Sequence, residues 1–142
     1  MFEFDKTKRD ELERWLFFSH IQDALVESFE MNEKKRVLNV SAFHPVFEEV
    51  AVLSMTGAKT TVLRGKCASI SSDRILSITV MNPLRFIYNG NDVEIDTGIP
   101  LVFEMESGQI IMVTAVKVFA ETRKYGAPTS FPMSQKKKTG KK

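Results

Sequence analysis

The chain has 142 residues, 43% hydrophobic and 27% charged, which suffices for one globular core with about two-thirds of its extended surface buried and leaves little room for a second. Eleven Phe, two Tyr, one Trp and seven Met exclude a disordered or collagen-like chain. The single Cys67 excludes an internal disulfide, and with only His20 and His44 beside it the usual Cys/His zinc sets are excluded too.

The net charge of +2 is unevenly placed. Lys136, Lys137, Lys138, Lys141 and Lys142 fall in the last segment, and setting these five aside leaves 15 basic against 18 acidic residues, a body charge of −3. The bulk of the domain is therefore mildly acidic and carries no general basic footprint for nucleic acid. The stretch Met1-Phe2-Glu3-Phe4-Asp5-Lys6 lacks the basic-then-apolar order of a secretion signal, and no apolar run has the length of a membrane span. The expectation is a cytoplasmic protein without membrane insertion.

From Asp5 to Met31 no Gly or Pro interrupts the chain, and Thr7 followed by Asp10 resembles a capping box. At 100° per residue Trp15, Phe18, Ile21, Leu25 and Phe29 form one broad stripe, extended by Leu12, Leu16 and Val26. The reading is an N-terminal amphipathic helix over residues 1–32. Its apolar surface exceeds what one face of a small β domain covers, so either the helix lies deep in its own domain or its outer flank meets another chain. The leading reading is self-association or a protein partner, with Trp15, Leu16, Phe17 and Phe18 as the contacts.

After Asn32-Glu33-Lys34-Lys35-Arg36 the pattern changes to β-branched runs: 37–43, 49–55, 60–70, 74–81, 84–88, 101–105 and 110–122. Turn chemistry separates them at Thr56-Gly57-Ala58, Asn89-Gly90-Asn91-Asp92, Thr97-Gly98-Ile99-Pro100 and Ser107-Gly108, the last read as a two-residue hairpin. Leu76, Ile78 and Val80 are expected on one inward face, and Ile110, Met112, Val116 and Val118 on another. Short strands without intervening helices predict a mainly β fold, a six- to seven-stranded antiparallel barrel or sandwich over residues 33–133. Residues 134–142 read as a disordered Lys-rich tail.

Chemistry is sparsely written. No Gly-x-Ser-x-Gly elbow, phosphate-binding glycine loop or His-bearing cysteine signature occurs. Cys67 reads as a small core residue, and His20 and His44 as structural or solvent-facing. The chain is therefore read as no enzyme, with no cofactor and no metal. Nucleic acid has two handles, the lysine tail for phosphates and Phe86 with Tyr88 as a stacking face.

The stretch from Gly65 to Leu76, with Ser69, Ser71 and Arg74 at the positions of an Asp/Asn-x-Ser-x-x-Gly strand end, resembles the PilZ family of bacterial small β-barrels. The order of later elements over residues 36–131 is similar as well. Only Ser71 matches that motif, and Lys34-Lys35-Arg36 stands near the family's Arg-x-x-x-Arg segment with a single arginine. A lysine does not reproduce the planar fork of a guanidinium. The resemblance thus implies a degenerate nucleotide site made of Lys34, Lys35, Arg36, Ser71 and Arg74, and a function like that of the non-binding PilZ adaptors, which act through protein partners. The alternatives are a nucleic-acid-associated barrel and a weak cyclic-dinucleotide receptor.

Overall fold

Phe2-Glu3-Phe4 alternates apolar and charged residues and forms a short strand, β1 (Phe2–Phe4). In this computed structural model, which describes residues 1–65, 70–82, 84–95 and 98–125, a 3-10 turn over Lys6–Lys8 follows and leads into α1 (Arg9–Phe18). The remaining elements are strands: β2 (Leu25–Asn32), β3 (Val37–His44), β4 (Glu49–Thr56), β5 (Lys59–Arg64), β6 (Ile75–Val80), β7 (Leu84–Tyr88), β8 (Asn91–Ile95), β9 (Ile99–Met105), β10 (Ile110–Ala115) and β11 (Lys117–Lys124).

The expected helix over residues 1–32 is therefore corrected: it occupies ten residues, and residues 25–32 are a strand. Its end carries no Gly or Pro. His20 and Asp23 take left-handed backbone angles, φ 64° and 78°, a region that Asp and His visit more readily than bulky residues. Ser19 closes the last turn by donating its N–H to the Trp15 carbonyl at 2.9 Å. Ahead of the helix the Asp5 carboxylate, rather than Thr7, caps the 3-10 turn by accepting the Thr7 N–H at 2.9 Å, while Lys8 at the start of α1 makes no side-chain cap.

Among the described residues all sheet pairing is antiparallel, in three sheets ordered β1-β11-β4-β3-β2, β5-β10-β9-β6 and β7-β8. No sheet closes on itself among the described residues. The two larger sheets share one core, with Leu38, Val40, Leu53 and Met55 from the first meeting Leu101, Phe103, Ile111 and Val113 from the second. Leu12 and Leu16 of α1 enter the same cluster. A smaller cluster on the outer face of the first sheet joins Val50 and Val52 to Phe43 and Phe119.

Two links hold the sheets together. The chain turns from β10 into β11 at Val116, whose N–H donates to the Thr56 carbonyl at 2.8 Å. On the other side the start of β2 is laced to the segment before β6: Val26 donates to Asp73 at 2.8 Å and Ile75 to Ala24 at 3.0 Å, with an isolated bridge between Leu25 and Arg74.

Two inward faces differ from expectation. Leu76 is an extra residue in the β6–β9 pairing, so strand parity shifts there; Ile75 and Ile78 are buried, whereas Leu76 faces out. In β10 the buried residues are Ile111, Val113 and Ala115, not Ile110 and Met112, and the corner residue Val116 is exposed while Val118 is buried. The β9–β10 turn is three residues, Glu106–Ser107–Gly108, closed by the Met105 N–H on the Gln109 carbonyl at 2.9 Å. Gly108 takes φ 98° there, as the third residue of such a turn requires.

Candidate functional site

The helix wheel decides which aromatics are available. Leu12 and Leu16 lie on the core side of α1 and are 0% and 1% exposed, so Leu16 is sealed in the protomer's own core and is not a contact residue. Trp15 is half-buried against the same cluster. Phe17 and Phe18 are 70% and 69% exposed, their rings edge to face at 5.0 Å. Of the four expected contacts the fold thus presents three, one partly.

Beside them lies an open groove of about 540 Å³ between α1 and β1. Its helix wall is Lys8, Glu11, Arg14, Trp15 and Phe18, and its other wall is all of β1. Glu11, Trp15 and Phe18 recur at helical spacing and so face one way. Phe2 and Phe4 lie on one side of β1 with their rings stacked at 6.3 Å; Phe2 is exposed and Phe4 buried. Neighbouring strand residues point to opposite faces, so a groove touched by Phe2, Glu3 and Phe4 alike runs along the strand's edge. The Glu3 carboxylate pairs with the Lys117 ammonium of β11 at 3.0 Å. Sequence reasoning missed β1, although Phe2-Glu3-Phe4 carries the period-two signal of a strand.

The five residues of the expected nucleotide site are not brought together. Lys34, Lys35 and Arg36 occupy the β2–β3 turn, whereas Arg74 bridges Leu25 at the other end of β2. Eight strand residues separate the ends by about 25 Å at roughly 3.3 Å per residue. Ser71 spends its hydroxyl on the Glu27 carbonyl at 3.0 Å. The Arg74 guanidinium lies 2.6 Å from the Glu106 carboxylate, which holds its pKa above the ordinary arginine value through that hydrogen bond and the opposite charge. Cys67, Ser69, Phe131, the Lys-rich segment 134–142 and the side chain of Phe86 lie outside the described residues; Tyr88 is exposed.

His20 and His44 flank the Phe47 ring, His20 stacked on it at 3.9 Å and His44 tilted at 4.8 Å, with 5.9 Å between the imidazoles. His44 Nδ1 accepts the Val46 N–H at 3.3 Å. No group of three or more His, Cys, Asp or Glu placed to hold a metal occurs among the described residues, and no described helix is long and apolar enough to cross a membrane.

Comparison with protein-family models, with curated proteins and with solved structures finds no match to this chain.

Proposed function

We propose that this protein is a non-enzymatic cytoplasmic adaptor, a regulatory binding module that acts through protein–protein contacts at the α1–β1 groove. The observation that carries the reading is the pair of adjacent phenylalanines, Phe17 and Phe18, each about 70% exposed, of which Phe18 lines that groove and Phe17 stands edge to face against the Phe18 ring. Singly exposed apolar residues are ordinary, but contiguous aromatics rimmed by charge are typical of docking surfaces. Edge-to-face rings with few rotamers lose little entropy on burial, which suits them as anchors.

The architecture also fits a partly open β-barrel of PilZ-like kind: two sheets around one core, laced at Val116 and at the Leu25–Arg74 bridge. With its basic residues dispersed, such a domain resembles the adaptors of that family that work without a nucleotide.

The test is the double variant Phe17→Ser with Phe18→Ser, compared with the unaltered protein by affinity purification from its native cells after mild cross-linking. Both side chains are exposed, so the melting temperature should stay within about 3 °C while a specific protein companion is lost. An identical set of companions with the fold intact overturns the reading.

A further inference from the structure

The edges of the two larger sheets are treated unequally. Three of the four edge strands carry an extra residue that breaks the ladder. In β2 it is Glu27, between the pairs Val26 with Ala42 and Ser28 with Ser41. In β5 it is Leu63, between Arg64 with Ile110 and Val62 with Ile111. In β6 it is Leu76, between Ile75 with Met105 and Ser77 with Glu104. Every register shift in the sheet pairing of the described residues falls on an edge strand. Bulges of this kind twist an edge away from foreign strands and discourage edge-to-edge pairing. The fourth edge, β1, pairs with β11 in unbroken register, Phe2 with Ala120, Glu3 with Phe119 and Phe4 with Val118. It contains no proline, no lysine and no bulge, no strand pairs on its other side among the described residues, and all three of its residues line the aromatic groove.

We infer that the occupant of this edge is a second copy of the same chain, added strand to strand across a two-fold axis. The inference rests on the reading of the α1–β1 groove as a docking surface and names what docks there. Self-complementarity favours this occupant. A three-residue strand that pairs antiparallel with itself does so about its middle residue, which sets Phe2 opposite the second copy's Phe4 and Glu3 opposite its counterpart. The aromatic pair already stacked along β1 then continues across the junction. The two carboxylates that meet at the centre are each accompanied by a Lys117 ammonium 3.0 Å away, so the centre holds two charges of each sign and no net charge. The groove wall adds both signs again, Lys8 and Arg14 with Glu11, so one patch can face itself without like-charge excess. Three residues supply few ladder hydrogen bonds, so affinity resides mainly in Phe2, Trp15 and Phe18. The result joins two five-stranded sheets into one continuous sheet.

The experiment places a cysteine at the proposed axis. Glu3→Cys in a Cys67→Ser background sets two thiols at directly opposed positions, with Cβ atoms about 5 Å apart, close enough for a disulfide under mild oxidation. Val46→Cys in the same background, on an exposed turn residue, is the positional control. The expected result is covalent dimer from Glu3→Cys and none from Val46→Cys, together with a sedimentation mass of twice the 16.1 kDa chain for the unaltered protein at tens of micromolar. Phe2→Lys, which adds a guard charge to an exposed position, should return the mass to one chain. A single-chain mass for the unaltered protein, or equal cross-linking at both cysteine positions, overturns the inference. If the chain is monomeric yet still loses a companion on the Phe17 and Phe18 changes, the docking surface stands and the second copy is the wrong occupant. If neither effect is seen, both readings fall.

Discussion

The ring of Phe29 meets the ring of Phe103 edge-on, 6.0 Å between centroids and 89° between planes, which ties β2 of the first sheet to β9 of the second through the middle of the core. Phe103 is fully buried, the largest such side chain among the described residues, whereas Phe29 is half-buried. Phe103→Ala removes both the buried area and the edge-on contact and leaves a cavity between sheets that the Val116 corner and the Leu25–Arg74 lacing hold apart. The expected loss is about 3–5 kcal/mol. Urea unfolding followed by circular dichroism should show a lowered midpoint with little change in slope. A loss under about 1 kcal/mol, the scale of a surface change, would mean that this ring does not join the two sheets.

Gly98 and Gly90 both sit at positive φ, 86° and 79°, and differ in what surrounds them. A Cβ on Gly98 runs into the backbone carbonyl of Ala115, while one on Gly90 meets nothing within 4 Å. Left-handed geometry alone costs a non-glycine residue about 1–2 kcal/mol. Gly90→Ala should show that cost and no more. Gly98→Ala adds a clash with backbone that cannot swing aside, so it should destabilise the fold clearly further, by thermal or urea unfolding. Equal effects at the two positions would remove the steric part of the argument.

The strands whose apolar residues alternate between turn residues were legible from sequence. The runs at 37–43, 49–55 and 84–88 return as β3, β4 and β7 within a residue at either end. What was hidden lies where backbone angle and tertiary contact override pattern. Ile21, Leu25 and Phe29 satisfy helical spacing, yet positive φ at His20 and Asp23 breaks the helix without any residue that announces it. The same Phe29 then alternates with Met31 as a strand does. The bulge at Leu76 inverts facing parity by one residue, and no residue type marks it. At the site, the excess of apolar residues on the first helix is legible in the sequence, but Phe18 reads there on the same stripe as Leu12 and Leu16, and only the fold separates exposed Phe17 and Phe18 from that buried pair. Leu16, expected among the contacts, is buried because it falls one turn from Leu12 on the face of α1 that packs on the core. The five dispersed basic and hydroxyl residues looked adjacent only through a family motif; strand length separates them.

Asp5 provides a pH test. Its carboxylate accepts hydrogen bonds from the Thr7 hydroxyl and the Thr7 N–H, and these hold its pKa below the ordinary value of 3.8. A group whose folded pKa is depressed contributes stability that is present above its unfolded value and is lost as pH falls through the folded value. The difference in stability between the unaltered protein and Asp5→Asn, which keeps an oxygen acceptor but no charge, should therefore be constant at neutral pH. It should shrink once pH drops below about 3.8. Nuclear magnetic resonance titration of the Asp5 side chain gives the same answer directly: a midpoint at or above the ordinary aspartate value would contradict the capping role.

Cyclic di-GMP should produce no heat in a calorimetric titration and no thermal stabilisation. Guanine edges and phosphates are held by guanidinium forks in fixed geometry, and the available groups are split between the two ends of β2. Arg36 also lies in a tight turn at φ 58°, its carbonyl accepting the Ala58 N–H at 2.9 Å, so swinging the turn toward Arg74 would break that backbone bond. Arg74 is itself engaged by Glu106 at 2.6 Å, and Ser71 by the Glu27 carbonyl. One small ligand therefore has no vantage from which to recruit both groups, and Arg74→Ala should leave the calorimetric trace as flat as before. A saturable heat that Arg74→Ala abolishes would show that the two ends of β2 can be bridged, and would move the site of action from the aromatic groove to the β2–β6 seam.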